Sequence, residues 1–236
     1  MLRAAGASVA GPGHLRLGED SQDALSLKGW RGGWIAAVAD GLGSRAQSAR
    51  GARAAVEAAQ AVARTWKRSG EWRDLPARQV ATDIYRRWLR ALPWSDKSMA
   101  ATTLLLAVCD AHGYARVWQM GDGLVISLVN GRAEVLTPTR SGFGNETRAL
   151  GTDTSWSAWN TQDVILVRRG DAILLMTDGI SDDVPGELVE GFAIAVRREL
   201  RKRSRRAGRK WLRRELTHWA TPGHTDDKTL AAIFLD

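Results

Sequence analysis

Apolar residues recur along this chain with two periods. Between Asp23 and Asp40, the runs "DALSLKG" and "GWIAAVAD" are apolar over strand lengths. Beyond Ser44 the period lengthens. Ala55, Ala59, Val62, Ala63 and Trp66 fall three and four apart, which predicts a helix capped by Ser44 and running to Lys67. Val80, Ile84 and Trp88 form a second stripe, which predicts a helix from Pro76 to Leu92 with proline in its first turn.

The short period then returns. "TTLLLAVCD", "YARVWQM", "LVISLV" and "AEVLT" are strand-length and separated by turn signals. Asn130-Gly131 predicts a hairpin between the last two. After a polar loop from Pro138 to Asn160, "DVILVRRGDAILLMTDG" predicts another hairpin, turning near Arg169-Gly170. Helices are predicted over Gly186 to Arg201 and Arg209 to Ala220, and "KTLAAIFLD" reads as a last strand. Short connections predict mainly antiparallel sheets, and segregated helix pairs predict helical layers outside them. The chain shows no internal repeat, so residues 1–236 read as one α+β domain.

Composition narrows the setting. At 44% hydrophobic and 25% charged the chain is ordinary globular material. No apolar run approaches the roughly 20 residues that span a bilayer. The start, "MLRAAGASVAGPGHL", has no apolar core of signal-peptide type. A soluble, cytoplasmic protein with no membrane partner is expected. Cys109 is the one cysteine, which excludes an intrachain disulfide and a cysteine metal cluster; it reads as a buried thiol. The eleven tryptophans read as core and helix-packing residues. A net charge of +8 raises nucleic acid as a partner. Much of that excess lies in "RRELRKRSRRAGRKWLRR", Arg197–Arg214, and such a run reads first as a solvated helix face. Nucleic acid is therefore not the expected partner.

Three apolar runs end alike, at Asp40-Gly41, Asp122-Gly123 and Asp178-Gly179. Asp226-Asp227 precedes the final strand, and Asp23 opens an early one. A single Asp-Gly is a common turn. Repeated at strand ends, the carboxylates are expected to converge at one rim of a sheet, where their repulsion needs a counter-charge. The four histidines, His14, His112, His218 and His224, are scattered. An oxygen-only ligand set points to Mg²⁺ or Mn²⁺ rather than zinc. The glycine after each aspartate leaves room for the backbone to approach an ion. Paired cations of this kind suit phosphoester hydrolysis, because they acidify water and neutralise phosphoryl oxygens. No nucleophilic side chain is then required. The chain accordingly lacks a Gly-x-Ser-x-Gly elbow and a Walker-type Gly-Lys-Ser/Thr.

In this order, "SQDAL", "VADGLGS", "AATTLLLAV", "MGDGLVISLVNGRAEVLT", "LLMTDGISDDV" and "DDKTLAAIFL" resemble the motifs of the metal-dependent serine/threonine protein phosphatases of the protein phosphatase 2C family. "GPGHLRLGEDSQDA" and "NETRAL" resemble a compact bacterial branch of it. The resemblance implies a four-layer α-β-β-α sandwich, two antiparallel sheets flanked by helix pairs. It implies two Mn²⁺ or Mg²⁺ ions, with a third in some relatives. Asp40 would bridge the two metals and Gly41 would offer its carbonyl to one, while Asp178 and Asp226 bind the other. Asp23 would act in the water shell, and Asp122 and Asp182 match third-metal positions. Phosphorylated proteins are the implied substrates, and a cognate serine/threonine kinase is a candidate partner in bacterial signalling.

The chain departs from that pattern in places. Gln22 stands where many relatives carry glutamate, and Leu42 where eukaryotic relatives carry a histidine. The usual phosphate-binding arginine falls at Gly18, with His14 or Arg16 as candidate substitutes beside a plain surface role. Thr102 and Thr103 read as strand packing residues, and Asn145-Glu146-Thr147 as a border of the site. Three readings stay open. One is an active phosphatase. The second is a degenerate module that binds a phosphoprotein or kinase without turnover. The third is a nucleic-acid binder using Arg197–Arg214.

Overall fold

The computed structural model describes residues 1–69, 72–93, 96–138, 148–219, 221 and 223–236. Strand β1 (Leu2–Val9) opens the chain and a short helix α1 (Pro12–Leu17) follows. Strands β2 (Asp23–Trp30) and β3 (Gly33–Asp40) pair antiparallel. Helices α2 (Ser48–Ser69) and α3 (Ala77–Ala91) come next, then β4 (Leu104–Cys109), β5 (Tyr114–Met120), β6 (Leu124–Val129) and β7 (Arg132–Val135). After β8 (Trp159–Ile165) and β9 (Ala172–Met176) the chain forms the one-turn helix α4 (Asp178–Ser181). It continues through α5 (Val189–Arg201) and α6 (Arg205–Thr217) to β10 (Lys228–Leu235).

The strands form two antiparallel sheets among the described residues, ordered β1-β10-β9-β6-β7 and β2-β3-β4-β5-β8. Both sheets are covered on both faces, which explains the near-continuous apolar runs. Along β3 the period of two sends Ile35, Ala37 and Ala39 towards α2 and α3, and Ala36 and Val38 towards the other sheet. Along β9, Leu174 and Met176 face α5 and α6, while Ile173 and Leu175 face the inter-sheet core. The layers are therefore helix pair, sheet, sheet, helix pair, the α-β-β-α sandwich expected of the sequence. No helix among the described residues is long and apolar enough to cross a membrane.

Several elements differ from expectation. Strand β1 has an alanine- and glycine-rich sequence of low strand propensity, yet all eight of its residues pair with β10. Helix α2 begins at Ser48 rather than after Ser44, and α6 begins at Arg205, capped by Ser204. Asn130 and Gly131 turn with φ 55 and 78, as the predicted β6–β7 hairpin requires. The predicted hairpin over 163–179 does not form. Strands β8 and β9 belong to different sheets. Val164, Leu166, Ile173 and Leu175 all enter the inter-sheet core, so the segment arches over the sandwich edge instead of folding back in one sheet. Buried Asp171 holds that arch, accepting from the backbone N–H groups of Val167, Arg168 and Asn130. Cys109 is buried, as expected.

The α2–α3 layer is pinned by Trp88, fully buried, whose Nε1 donates to the Gly51 carbonyl at 3.0 Å. Trp88→Ala removes both the packing and the bond. It is expected to lower unfolding free energy by about 3–5 kcal/mol in urea denaturation, with Trp88→Phe costing clearly less.

Candidate metal centre

The carboxylates converge because the strand period puts them on one side. Asp40 continues the face of Ala36 and Val38, and Asp23 continues that of Leu25 and Leu27, both turned towards the opposite sheet. In the β2–β3 register Asp23 stands directly opposite Asp40. Like charges so placed repel. Asp122 sits in the turn from β5 to β6, which carries the chain from one sheet to the other. Asp178 opens α4 at the end of β9, and Asp226 and Asp227 lead into β10. The rim thus belongs to both sheets, not to one as the strand-end pattern alone suggested.

One oxygen from each of Asp40, Asp122 and Asp178 lies within 4.8 Å of the others. Asp226 is outside that set and exposed, its Oδ1 accepting from the Asp227 N–H at 2.8 Å. Asp182 is exposed one turn beyond Asp178. Asp23 is buried. Its Oδ2 accepts from the Thr177 hydroxyl at 2.9 Å, and its Oδ1 has no hydrogen-bond partner. No ion pair among the described residues involves Asp23, Asp40 or Asp178. Burial pushes Asp23 up to about 7, with the Asp227 and Asp178 charges adding to it. Burial and the Asp122, Asp226 and Asp182 charges push Asp178 up to about 6. Asp40 stands well above the ordinary carboxylate range, first through burial and then through Asp23, Asp178, Asp226 and Asp122. Such a set of oxygen donors, one of them buried and unsatisfied, fits a small hard divalent cation.

Three features hold the carboxylates in place, and the sequence reading missed their purpose. Thr102 and Thr103 do more than pack: they grip the Asp40 main chain. The Thr103 hydroxyl accepts from Asp40 N–H at 3.0 Å, and the Thr102 hydroxyl donates to the Asp40 carbonyl at 2.8 Å. Gly41 lies against the start of α2, where a Cβ would come within 2.6 Å of the Ser48 carbonyl carbon. Its missing side chain is required by this packing before any ion is considered. Asp227, buried, accepts from Gly11 N–H, Gln22 N–H and His14 Nδ1. The doubled aspartate was the available signal: one carboxylate faces the rim and the other ties the chain together. Gln22 is not a spare ligand either, because its Oε1 accepts from Ser48 Oγ at 2.8 Å.

Of the basic candidates, His14 is half-buried against Asp227, whose hydrogen bond raises it above the ordinary histidine value. Arg16 is exposed on α1. Leu42 is half-buried, its N–H donating to the Ala101 carbonyl. Asn145-Glu146-Thr147 lie outside the described residues.

A protein-family model described as "Protein phosphatase 2C" matches residues 10–219. The photosystem II phosphatase PBCP is 17% identical and superposes with a TM-score of 0.67, over 100% of this chain and 99% of that one. PppA, a regulatory component of the T6SS in Pseudomonas aeruginosa, is 19% identical with a TM-score of 0.65, over 99% and 97% of the two chains. The catalytic domain of the serine/threonine phosphatase PstP, solved with two manganese ions, is 19% identical with a TM-score of 0.61, over 100% and 99%. At such identity these likenesses are ones of fold. No curated protein matches the sequence.

The raised carboxylates give a pH signature to the metal-free protein. An unfolded aspartate titrates near 3.9, approximately. Asp23 in the fold holds its proton up to about 7. The folded state therefore binds more protons between these values, and stability falls as pH climbs through that window. Asp23→Asn removes this contribution. In EDTA, the parent's melting temperature should fall more steeply between about pH 5 and pH 8 than the variant's, and the relief of Asp40, which the Asp23 charge also raises, acts in the same direction. Equal slopes would refute the assignment.

Proposed function

The chain belongs to the protein phosphatase 2C family, and we propose that it hydrolyses phosphoserine and phosphothreonine on proteins in the cytoplasm. Residues 1–236 act as one catalytic unit in this reading. The observation that carries it is the convergence of Asp40, Asp122 and Asp178 beside a buried, unpartnered oxygen of Asp23.

Asp40, the Gly41 carbonyl, Asp178 and Asp226 are the residues to hold two Mn²⁺ or Mg²⁺ ions. Asp122 and Asp182 are the candidates for a third. When bound, such cations acidify water and offset charge on the phosphoryl oxygens. The chain's own residues do the rest. The Thr102 and Thr103 bonds fix the position of Asp40. Asp23 is held in place by the Thr177 hydroxyl, beneath the site rather than in its mouth. His14 engages Asp227 through Nδ1. Its Nε2 is left as the donor for a phosphoryl oxygen, with Arg16 on the same short helix as the second candidate. No histidine follows Asp40-Gly41, because Leu42 occupies that position. Proton delivery to the leaving alkoxide from that corner is therefore absent.

One observation favours a second reading, a module that binds a phosphoprotein or a kinase without turnover. Gln22 places a neutral amide, already engaged by Ser48, where a charged water ligand would be of use.

Purified protein with Mn²⁺ is expected to release phosphate from a phosphothreonine peptide, and EDTA to abolish it. Asp40→Asn and Asp178→Asn should each lower the rate by about 100-fold or more, as loss of one preorganised electrostatic element does. Metal-independent turnover, or full activity in both variants, would sink the mechanism. Two bound cations by calorimetry with no hydrolysis of any phosphopeptide would establish the binding module instead.

A further inference from the structure

The basic segment Arg197–Arg214 takes no part in the metal centre, and the fold divides it in two. Its first part is neutralised locally. Glu199 pairs with Lys202 at 2.8 Å and Arg203 at 2.7 Å, and Arg201 lies 3.6 Å from Asp236. Its second part is not. Arg206, Arg209, Lys210 and Arg213 fall at the three- and four-residue spacings of one helical face, and all four are exposed. Among the described residues no carboxylate pairs with any of them. Gly208, Leu212 and Leu216 bury the opposite face of α6.

A cationic stripe on a helix is most often a solvated face. Here it forms one wall of a groove of about 1230 Å³. Helix α2 forms the other wall through Arg53, Val56, Glu57 and Gln60, so that this wall carries one cation and one carboxylate while the α6 wall carries cations alone. The floor is the seam between the sheets, built of the small neutral residues Ala5–Ser8 of β1 and the Asp23–Leu27 stretch of β2. These are the outer strands of their sheets: among the described residues β1 pairs with β10 alone, and β2 with β3 alone. An outer strand offers main-chain donors and acceptors to an added extended segment. Among the described residues no aromatic side chain lines the groove, whereas proteins that hold nucleic-acid single strands stack bases on aromatic rings. Unpaired α6 cations, outer strands along the floor and the lack of stacking rings together select a polypeptide of negative charge.

We propose that this groove docks an extended, Asp/Glu-rich segment of a partner protein, its carboxylates against the α6 stripe and its main chain along the β1–β2 seam. None of Asp40, Asp122 and Asp178 lines the groove, which meets the rim only at Asp23, so the α6 stripe selects a partner without taking part in hydrolysis.

The test uses the full chain and a fluorescein-labelled peptide of alternating Glu and Val, read by anisotropy at low salt. Saturable binding that weakens as salt rises is expected. Arg209→Glu/Arg213→Glu should weaken it at least tenfold, while Arg87→Glu on the outer face of α3 should leave it unchanged. A peptide with proline at alternate positions should also bind at least tenfold more weakly. Melting temperature, and turnover of p-nitrophenyl phosphate where it occurs, should match the parent in the double variant. If that variant fails to fold, Arg209→Gln/Arg213→Gln is read in the same assay. No saturable binding by the parent, equal affinity in the charge variants, undiminished binding of the proline peptide, or tighter binding of oligothymidylate would overturn the proposal. Binding is measured without turnover, so an inactive enzyme leaves this result intact, and failed docking leaves the phosphatase reading intact.

Discussion

Asp23 and Asp40 face each other across adjacent antiparallel strands, on the side of their sheet that is buried against the second sheet. In water two such carboxylates would swing apart. Here the apolar layers above and below fix the strands, and Thr103, Thr102 and Thr177 fix the residues themselves. The repulsion is therefore built in. Burial adds to it by removing water from the charges, which is why all the shifts at this rim run upward. A rim held in this state is ordered in advance for a cation, and the reorganisation that binding would otherwise demand has been met by the packing of the core.

The second sheet contributes through Asp227. Its two oxygens collect the N-terminal segment at Gly11 and His14 and the start of β2 at Gln22. This one buried carboxylate therefore sets the positions of a candidate phosphate ligand and of the strand that carries Asp23. Neighbouring Asp226 remains exposed at the rim. Gln22 fits the same logic. Its amide oxygen, just ahead of β2, accepts from Ser48 in the first turn of α2, a contact that a neutral oxygen meets without adding another charge to the rim.

The sandwich was legible in the sequence because most strands are apolar on both faces and most helices carry a clear stripe. The ligand candidates were legible because Asp-Gly recurs at strand ends. What failed to show had physical reasons. Strand β1 is built of small residues, and only its pairing with β10 makes it a strand. The segment around Gly170 has the same local pattern whether it reverses within a sheet or arches between two. That choice depends on which faces Val164 and Ile173 bury, a tertiary property. The threonine grip on Asp40 was hidden for a similar reason, since β-branched residues in a strand are expected whether or not their hydroxyls are used. The split of the basic segment into a neutralised half and an open half depends on Asp236 and Glu199, the first of them well removed in sequence.

The pairing of β1 with β10 has a consequence for how the molecule comes into being. The two strands are joined along their whole length, and β10 also separates β1 from β9. During synthesis β1 emerges long before β10, its one partner strand among the described residues. Until then it has no ladder, and it stays apart from β9, β6 and β7 of its own sheet. The residues that arrive just ahead of β10 are Asp226 and Asp227. Closure of that sheet and completion of the rim are thus a single late event. A nascent chain stays without its full set of carboxylates until Asp226 and Asp227 have been made, and without the sheet that anchors them until β10 follows.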